Sequence, residues 1–317
     1  FESLRPLQIL SKNLIAGYKK DILIFKIKLK LVISYNSIMK IDFKFVSSKI
    51  NTKDNLDKSI FFMHIPKCGG TTIDHIFAKL FSILKNYNFK RFKYNKEIEK
   101  DILSINKIDN SKKYFISGHL DYDFCNNLNN IYKCCIVRDP IGRVISHYKF
   151  TVFRLNTTPE KYPFKIFINE EIKNNRDNLI TRHFSGLLSE KKEIVDKVCL
   201  EAIKNTESFD SIYTFVNWDN FLSEVLSLFG FPSILYSRFQ EHKYNFIFSP
   251  KKEDINLINQ YYYYDFIIYE KVTEFKNKFK INNHDEYNKN ICVVSPYFKT
   301  DDKLYKEQDL KKIFEKF

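Results

Sequence analysis

The sequence predicts an α/β fold, a single parallel sheet flanked by helices, and three observations carry that prediction. Short apolar runs at about 59–65, 114–117, 132–137 and 211–216 alternate with helical stretches. The first three runs are almost unbroken rather than alternating, as strands buried on both faces must be. Each of those three is followed by a proline, a glycine or an arginine that opens a turn. Strand and helix in repeated succession give parallel strands joined by crossover helices.

The first strand, about 59–65, breaks into Pro66-Lys67-Cys68-Gly69-Gly70-Thr71-Thr72 and then into a helix over about 71–84. Two glycines let a backbone approach an anion, the amides that follow point N–H groups at it, and the helix start adds partial positive charge. Lys67 supplies a full charge. The nucleotide-triphosphate version of such a loop places its lysine after the glycines, whereas Lys67 precedes them. The segment therefore reads as a cradle for a phosphate or phosphosulfate.

The second strand, about 114–117, ends in Gly118-His119. Ligands of open parallel sheets sit at the carboxyl ends of the strands, and a histidine there has the basicity to take a proton near neutral pH. His119 is the candidate general base. The lysine-rich interval Lys85 to Lys113 reads as an insertion or helical flap. His64 reads as a residue that packs or holds a neighbouring strand, His75 as facing cleft or solvent, and His147 as pointing away from Ser146. Asp74 and Asp121 read as auxiliary carboxylates or, more simply, as residues of solvated faces.

The third strand, about 132–137, runs into Arg138-Asp139-Pro140, and Pro140 suits the first turn of a helix over about 140–153. Ser146 follows Arg138 by about two helical turns and can look back over the strand end. A guanidinium with a hydroxyl beside it makes a receptor for a phosphate monoester. Further on, helices are expected over about 176–188, 191–205 and 217–229, with the fourth strand at 211–216. A long helix is expected from Glu253 to Phe279, and a fresh strand over Asn290–Phe298. Arg176 and Arg182 read as surface charges or as contacts to an acidic acceptor.

As strings, HIPKCGGTTIDHIF and RDPIGRVISHY resemble the 5′-phosphosulfate loop and the 3′-phosphate segment of sulfotransferases that use 3′-phosphoadenosine 5′-phosphosulfate (PAPS). The likeness is to the branch containing the heparan sulfate O-sulfotransferases and their microbial relatives, and it covers roughly Ile60 to Lys271. It implies a P-loop nucleotide-kinase-like sheet. It also implies that the amides of Cys68, Gly69, Gly70, Thr71 and Thr72, with the two threonine hydroxyls, hold the phosphosulfate. Lys67 would stabilise the leaving phosphate, His119 would deprotonate the acceptor, and Arg138 with Ser146 would bind the 3′-phosphate. The implied acceptor is a hydroxyl, on a glycan in this branch. The turn at Asn217-Trp218-Asp219 departs from the glutamate-containing turn usual there, which leaves Asp219 without an implied role. Two rivals stay open: a P-loop nucleotide or sugar kinase, and a silent nucleotide- or glycan-binding module of the same fold.

With 317 residues, 44% of them hydrophobic, the chain can bury a sizeable core. The net charge of +14 points to anionic partners such as a nucleotide and an acidic glycan, while the scattered lysines and the lack of a reading motif exclude nucleic acid. Histidine and cysteine spacings suggest no metal site, and the six cysteines suggest no disulfide framework, hence a reducing compartment. Lysines interrupt the apolar residues of 21–33, so no membrane span is expected. These features predict a cytoplasmic enzyme, or a Golgi-lumen one if an anchor precedes the segment. Residues 1–50 read as an N-terminal extension and 51–285 as the catalytic domain. Residues 286–317 read either as a tail of that domain or as the start of a following one, since 290–298 resembles the opening strand of nucleotide-sugar glycosyltransferases.

Overall fold

A computed structural model describes residues 25–29, 41–49, 56–84, 87–92, 113–126, 128, 130–237, 244–275, 290–294 and 305–306. In chain order the strands are β1 (Phe25–Leu29), β2 (Ile41–Val46), β3 (Ser59–Met63), β4 (Tyr87–Phe92), β5 (Lys113–Gly118), β6 (Ile131–Val137), β7 (Ser211–Thr214), β8 (Ser233–Ser237), β9 (Asn290–Val294) and β10 (Tyr305–Lys306). The helices are α1 (Gly70–Leu84), α2 (Tyr122–Asn126), α3 (Pro140–Arg154), α4 (Phe164–Lys173), α5 (Leu179–Ser185), α6 (Asp196–Thr206), α7 (Trp218–Leu228), α8 (Lys252–Tyr261) and α9 (Tyr263–Thr273). A short 3₁₀ turn, Phe215–Asn217, joins β7 to α7.

The expected parallel sheet is present, with spatial order β4-β5-β3-β6-β7 and every neighbouring pair parallel. β3 lies at its centre because its side chains are apolar on both faces. Ile60 and Phe62 join one core cluster with Ile73, Phe77 and Leu80 of α1, while Phe61 and Met63 join another with Ile180 and Phe184 of α5. Phe115 of β5 stacks on Phe77 at 4.3 Å between ring centres and lies within 6.3 Å of Phe62. Removing a ring so enclosed costs about 3–5 kcal/mol.

A second sheet, β1-β2-β8-β9-β10, packs on the first. β8 takes β2 as an antiparallel neighbour and β9 as a parallel one. Val46, Ile234, Tyr236, Cys292 and Val294 enter the same core cluster as Ile60 and Phe77. Asp219 accepts a hydrogen bond from the Tyr236 hydroxyl at 2.7 Å and pairs with Lys44 at 3.4 Å, so it ties α7 to this sheet.

Several expectations need correction. Within the lysine-rich interval, 87–92 is not helical: it is the edge strand of the parallel sheet, while 93–112 lies outside the described residues. The long helix expected from Glu253 breaks at Tyr262, where Asn178 intervenes. Its side-chain amide donates to the Tyr261 carbonyl at 2.9 Å, and its oxygen accepts from the N–H groups of Tyr264 and Asp265. The continuation to Phe279 lies largely outside the described residues. Arg182 is not a surface charge. It is buried and donates to the Asp177 backbone carbonyl, to one Asp177 carboxylate oxygen and to the Lys192 carbonyl at 2.9–3.0 Å.

Candidate active site

All strands of the first sheet point the same way, so the segments after β3, β5, β6 and β7 emerge along one edge. These are the glycine turn, His119, Arg138 and Phe215. β3 stands between β5 and β6, which sets His119 on one side of the turn and Arg138 on the other.

The turn is held by its own backbone. The Cys68 N–H donates to the Ile65 carbonyl at 3.3 Å and the Thr72 N–H to the Gly69 carbonyl at 3.2 Å. This leaves the amides of Gly69, Gly70 and Thr71 as the open donors of the loop among the described residues. Lys67 adopts a left-handed φ of 68° and Gly69 one of 87°, a region that costs an L side chain roughly 1–2 kcal/mol. Gly70 is required for another reason: a Cβ there would stand 2.2 Å from the His64 ring. Cys68 is buried, and burial pushes its thiol up to about 12, so it stays protonated.

His64 links the turn to β5. Its N–H donates to the Gly118 carbonyl at 3.0 Å, and its own carbonyl lies 2.7 Å from His119 Nδ1. A carbonyl only accepts, so Nδ1 of His119 carries the proton and Nε2 keeps a free lone pair. Burial, with His64 and Arg91 nearby, lowers the His119 pKa to about 4 and keeps the ring neutral at physiological pH. A neutral imidazole with an unprotonated Nε2 is the form a general base requires.

Asp74 differs from the sequence reading. It does not lie on a solvated face; it is 3% exposed and accepts from Ser117 Oγ at 2.5 Å. Its other oxygen pairs with His64 Nδ1 at 3.2 Å and Arg91 Nε at 3.1 Å. A signal was present in the sequence. Asp74 follows Gly70 by four residues and precedes Phe77 by three, within the stripe that α1 buries. Asp121 is likewise structural, accepting from the N–H groups of Phe124 and Leu188 at 3.4 and 3.3 Å.

On the other side, Lys67 Nζ lies 4.2 Å from the centre of the Phe150 ring on α3. Partial burial, with Arg138 close by, lowers its pKa to about 8. Arg138 leans back over the turn: Nη1 is 3.5 Å from the Lys67 carbonyl, and the guanidinium covers the Phe215 ring at 4.8 Å. Asp139 caps α3 by accepting from the Gly142 N–H at 2.6 Å, with Pro140 at the first helical position. Ser146 is half-buried in the second turn of that helix. His147 points away from it and pairs with Glu171 at 3.0 Å.

Two buried donors beside the turn have no hydrogen-bond acceptor among the described residues, Arg138 Nε and Trp218 Nε1. Trp218 and Phe215 both press on Gly69, where a Cβ would stand 3.0 and 2.9 Å from them. Buried donors without acceptors are costly, and an anion lying on the turn is the kind of ligand that would satisfy them. No motif marks Trp218 as a site residue, because its place at the turn depends on β7 lying beside β6. Among the described residues no cluster of side chains is suited to hold a metal ion.

The parallel sheet thus brings a glycine turn with open amides and a neutral imidazole to one edge. The model of the sulfotransferase family matches residues 51–272, and the chain belongs to that family. It is therefore a transferase whose chemistry is sulfuryl transfer. Among solved structures, a sulfotransferase from Alicyclobacillus acidocaldarius is similar at 10% identity and a TM-score of 0.40, over 69% of this chain and 96% of that one. No curated protein matches the chain. Among the described residues no helix is long and apolar enough to cross a membrane.

Proposed function

We propose that this enzyme moves the sulfuryl group of PAPS to a hydroxyl of a glycan. One observation supports the reading most: the 2.7 Å bond from His119 to the His64 carbonyl ties a neutral base to the loop that carries Lys67. The unpartnered donor of Arg138 favours a second phosphate near the turn, and the net charge of +14 suits an acidic acceptor.

In this reading the open amides of Gly69, Gly70 and Thr71, with the hydroxyls of Thr71 and Thr72, receive the 5′-phosphosulfate. Arg138 and Ser146 receive the 3′-phosphate. His119 Nε2 takes the proton of the acceptor hydroxyl as that oxygen bonds to sulfur, and the bond from sulfur to the bridging phosphate oxygen breaks. Lys67 neutralises the charge gathering on that oxygen, an interaction stronger in the transition state than before it. The products are a sulfate ester and 3′-phosphoadenosine 5′-phosphate.

Incubation of the protein with PAPS labelled in its sulfur, together with polysaccharide, lipid and small-molecule fractions, tests this directly. Label is expected in the polysaccharide fraction, and transfer to another fraction would refute the glycan assignment. Calorimetry is expected to show tighter binding of 3′-phosphoadenosine 5′-phosphate than of ATP. Preference for ATP would instead favour a kinase.

A further inference from the structure

We propose that Asp74 is a positioning residue for His119, acting through His64; the inference rests on His119 being the base. His119 presents Nε2 only because its Nδ1–H is donated to the His64 carbonyl. That carbonyl is fixed by whatever fixes His64. The backbone of His64 is tied to Gly118, its ring is packed over Gly70, and its Nδ1 is held by Asp74.

Asp74 draws these parts together. Projecting from α1, it takes the Ser117 hydroxyl from β5 on one oxygen, and His64 from the turn and Arg91 from β4 on the other. A single carboxylate thus locks the turn, the base-bearing strand and the edge strand in one arrangement. The rings of His64 and His119 lie 4.6 Å apart, so a shift of His64 moves the base directly. Of the neighbours whose charge acts on His119, Arg91 and His64 lower its basicity and Asp74 raises it, with His183 of α5 also close. Geometry and charge act in the same direction.

The test uses the full chain. Asp74→Asn is expected to lower kcat on the order of tenfold or more, while affinity for 3′-phosphoadenosine 5′-phosphate stays within about threefold. In a His119→Ala background the same change is expected to add nothing, because a residue acting through the base has nothing left to act on. A merely structural role would give additive losses. Additivity, or an unchanged kcat in Asp74→Asn, overturns the proposal. Should Asp74→Asn fail to fold, shown by lost nucleotide binding, Ser117→Ala frees one oxygen of the carboxylate. It is expected to lower kcat about fivefold, again with no added effect beside His119→Ala, and an additive or absent loss overturns the proposal. Unchanged turnover in His119→Ala alone would remove the base and this inference together; loss there with additive behaviour at Asp74 removes only the inference.

Discussion

On the β5 side of the glycine turn the main polar groups already have protein partners, whereas on the β6 and β7 side two buried donors have no acceptor among the described residues. His119, His64, Ser117, Arg91 and Asp74 satisfy one another. Across the turn, Arg138 Nε and Trp218 Nε1 are buried without acceptors, and Lys67 rests on an aromatic face. One side is preorganised, so its geometry is set before any ligand arrives. The other leaves two donors open.

That contrast makes graded predictions. The largest effect falls on the preorganised side: His119→Ala is expected to cut kcat by about 10² or more with little change in donor affinity. Steady-state kinetics beside a nucleotide titration reads this, and weakened donor binding with kcat preserved would reverse the assignment of the two sides. Next, Arg138→Ala is expected to weaken 3′-phosphoadenosine 5′-phosphate by roughly 10- to 100-fold. Adenosine 5′-phosphate, which lacks the 3′ group, should be little affected, and an equal loss for both nucleotides would place Arg138 elsewhere on the ligand.

The two sides also titrate at opposite ends of the pH scale. On the proposed mechanism His119 must be neutral to take a proton, so kcat/KM is expected to fall as pH drops through its pKa of about 4. On the same mechanism Lys67 must be charged, so kcat/KM is expected to fall as pH rises through about 8 in the free enzyme. Replacing Lys67 with arginine should move the upper limb out of range and leave the lower one in place; an unmoved upper limb would assign it to another group. The smallest effect is optical. Trp218 is the only tryptophan in the chain and touches Gly69. Its fluorescence should change on nucleotide binding, and constant emission at saturation would mean the ligand does not lie on the turn.

The sequence revealed the part of the fold that depends on local apolar runs. β3, β5, β6 and β7 are legible because central parallel strands are nearly all apolar, and the turn and the start of α3 are legible because glycine and proline mark them. Features set by distant partners were not. β4 was lost among lysines because an edge strand pairs along one side only and 88–92 hold no fully buried residue. β2 and β8 pair across most of the chain, and the break at Tyr262 is made by Asn178. Among candidate residues, Lys67, His119 and Arg138 were legible as charged or titratable groups at strand ends. Asp74 and Arg182 were misread, since a charge in a sequence looks solvated until the fold supplies its partner.

The pairing of β8 bears on how the protein is handled. Its two neighbours, β2 and β9, both lie outside 51–272, the span the family match would suggest for expression. A fragment trimmed to that span would leave Ile234, Leu235 and Tyr236 on a strand with two open edges, a template for association between molecules. Soluble material for crystallisation or assay is therefore best sought in a fragment that keeps at least 41–294.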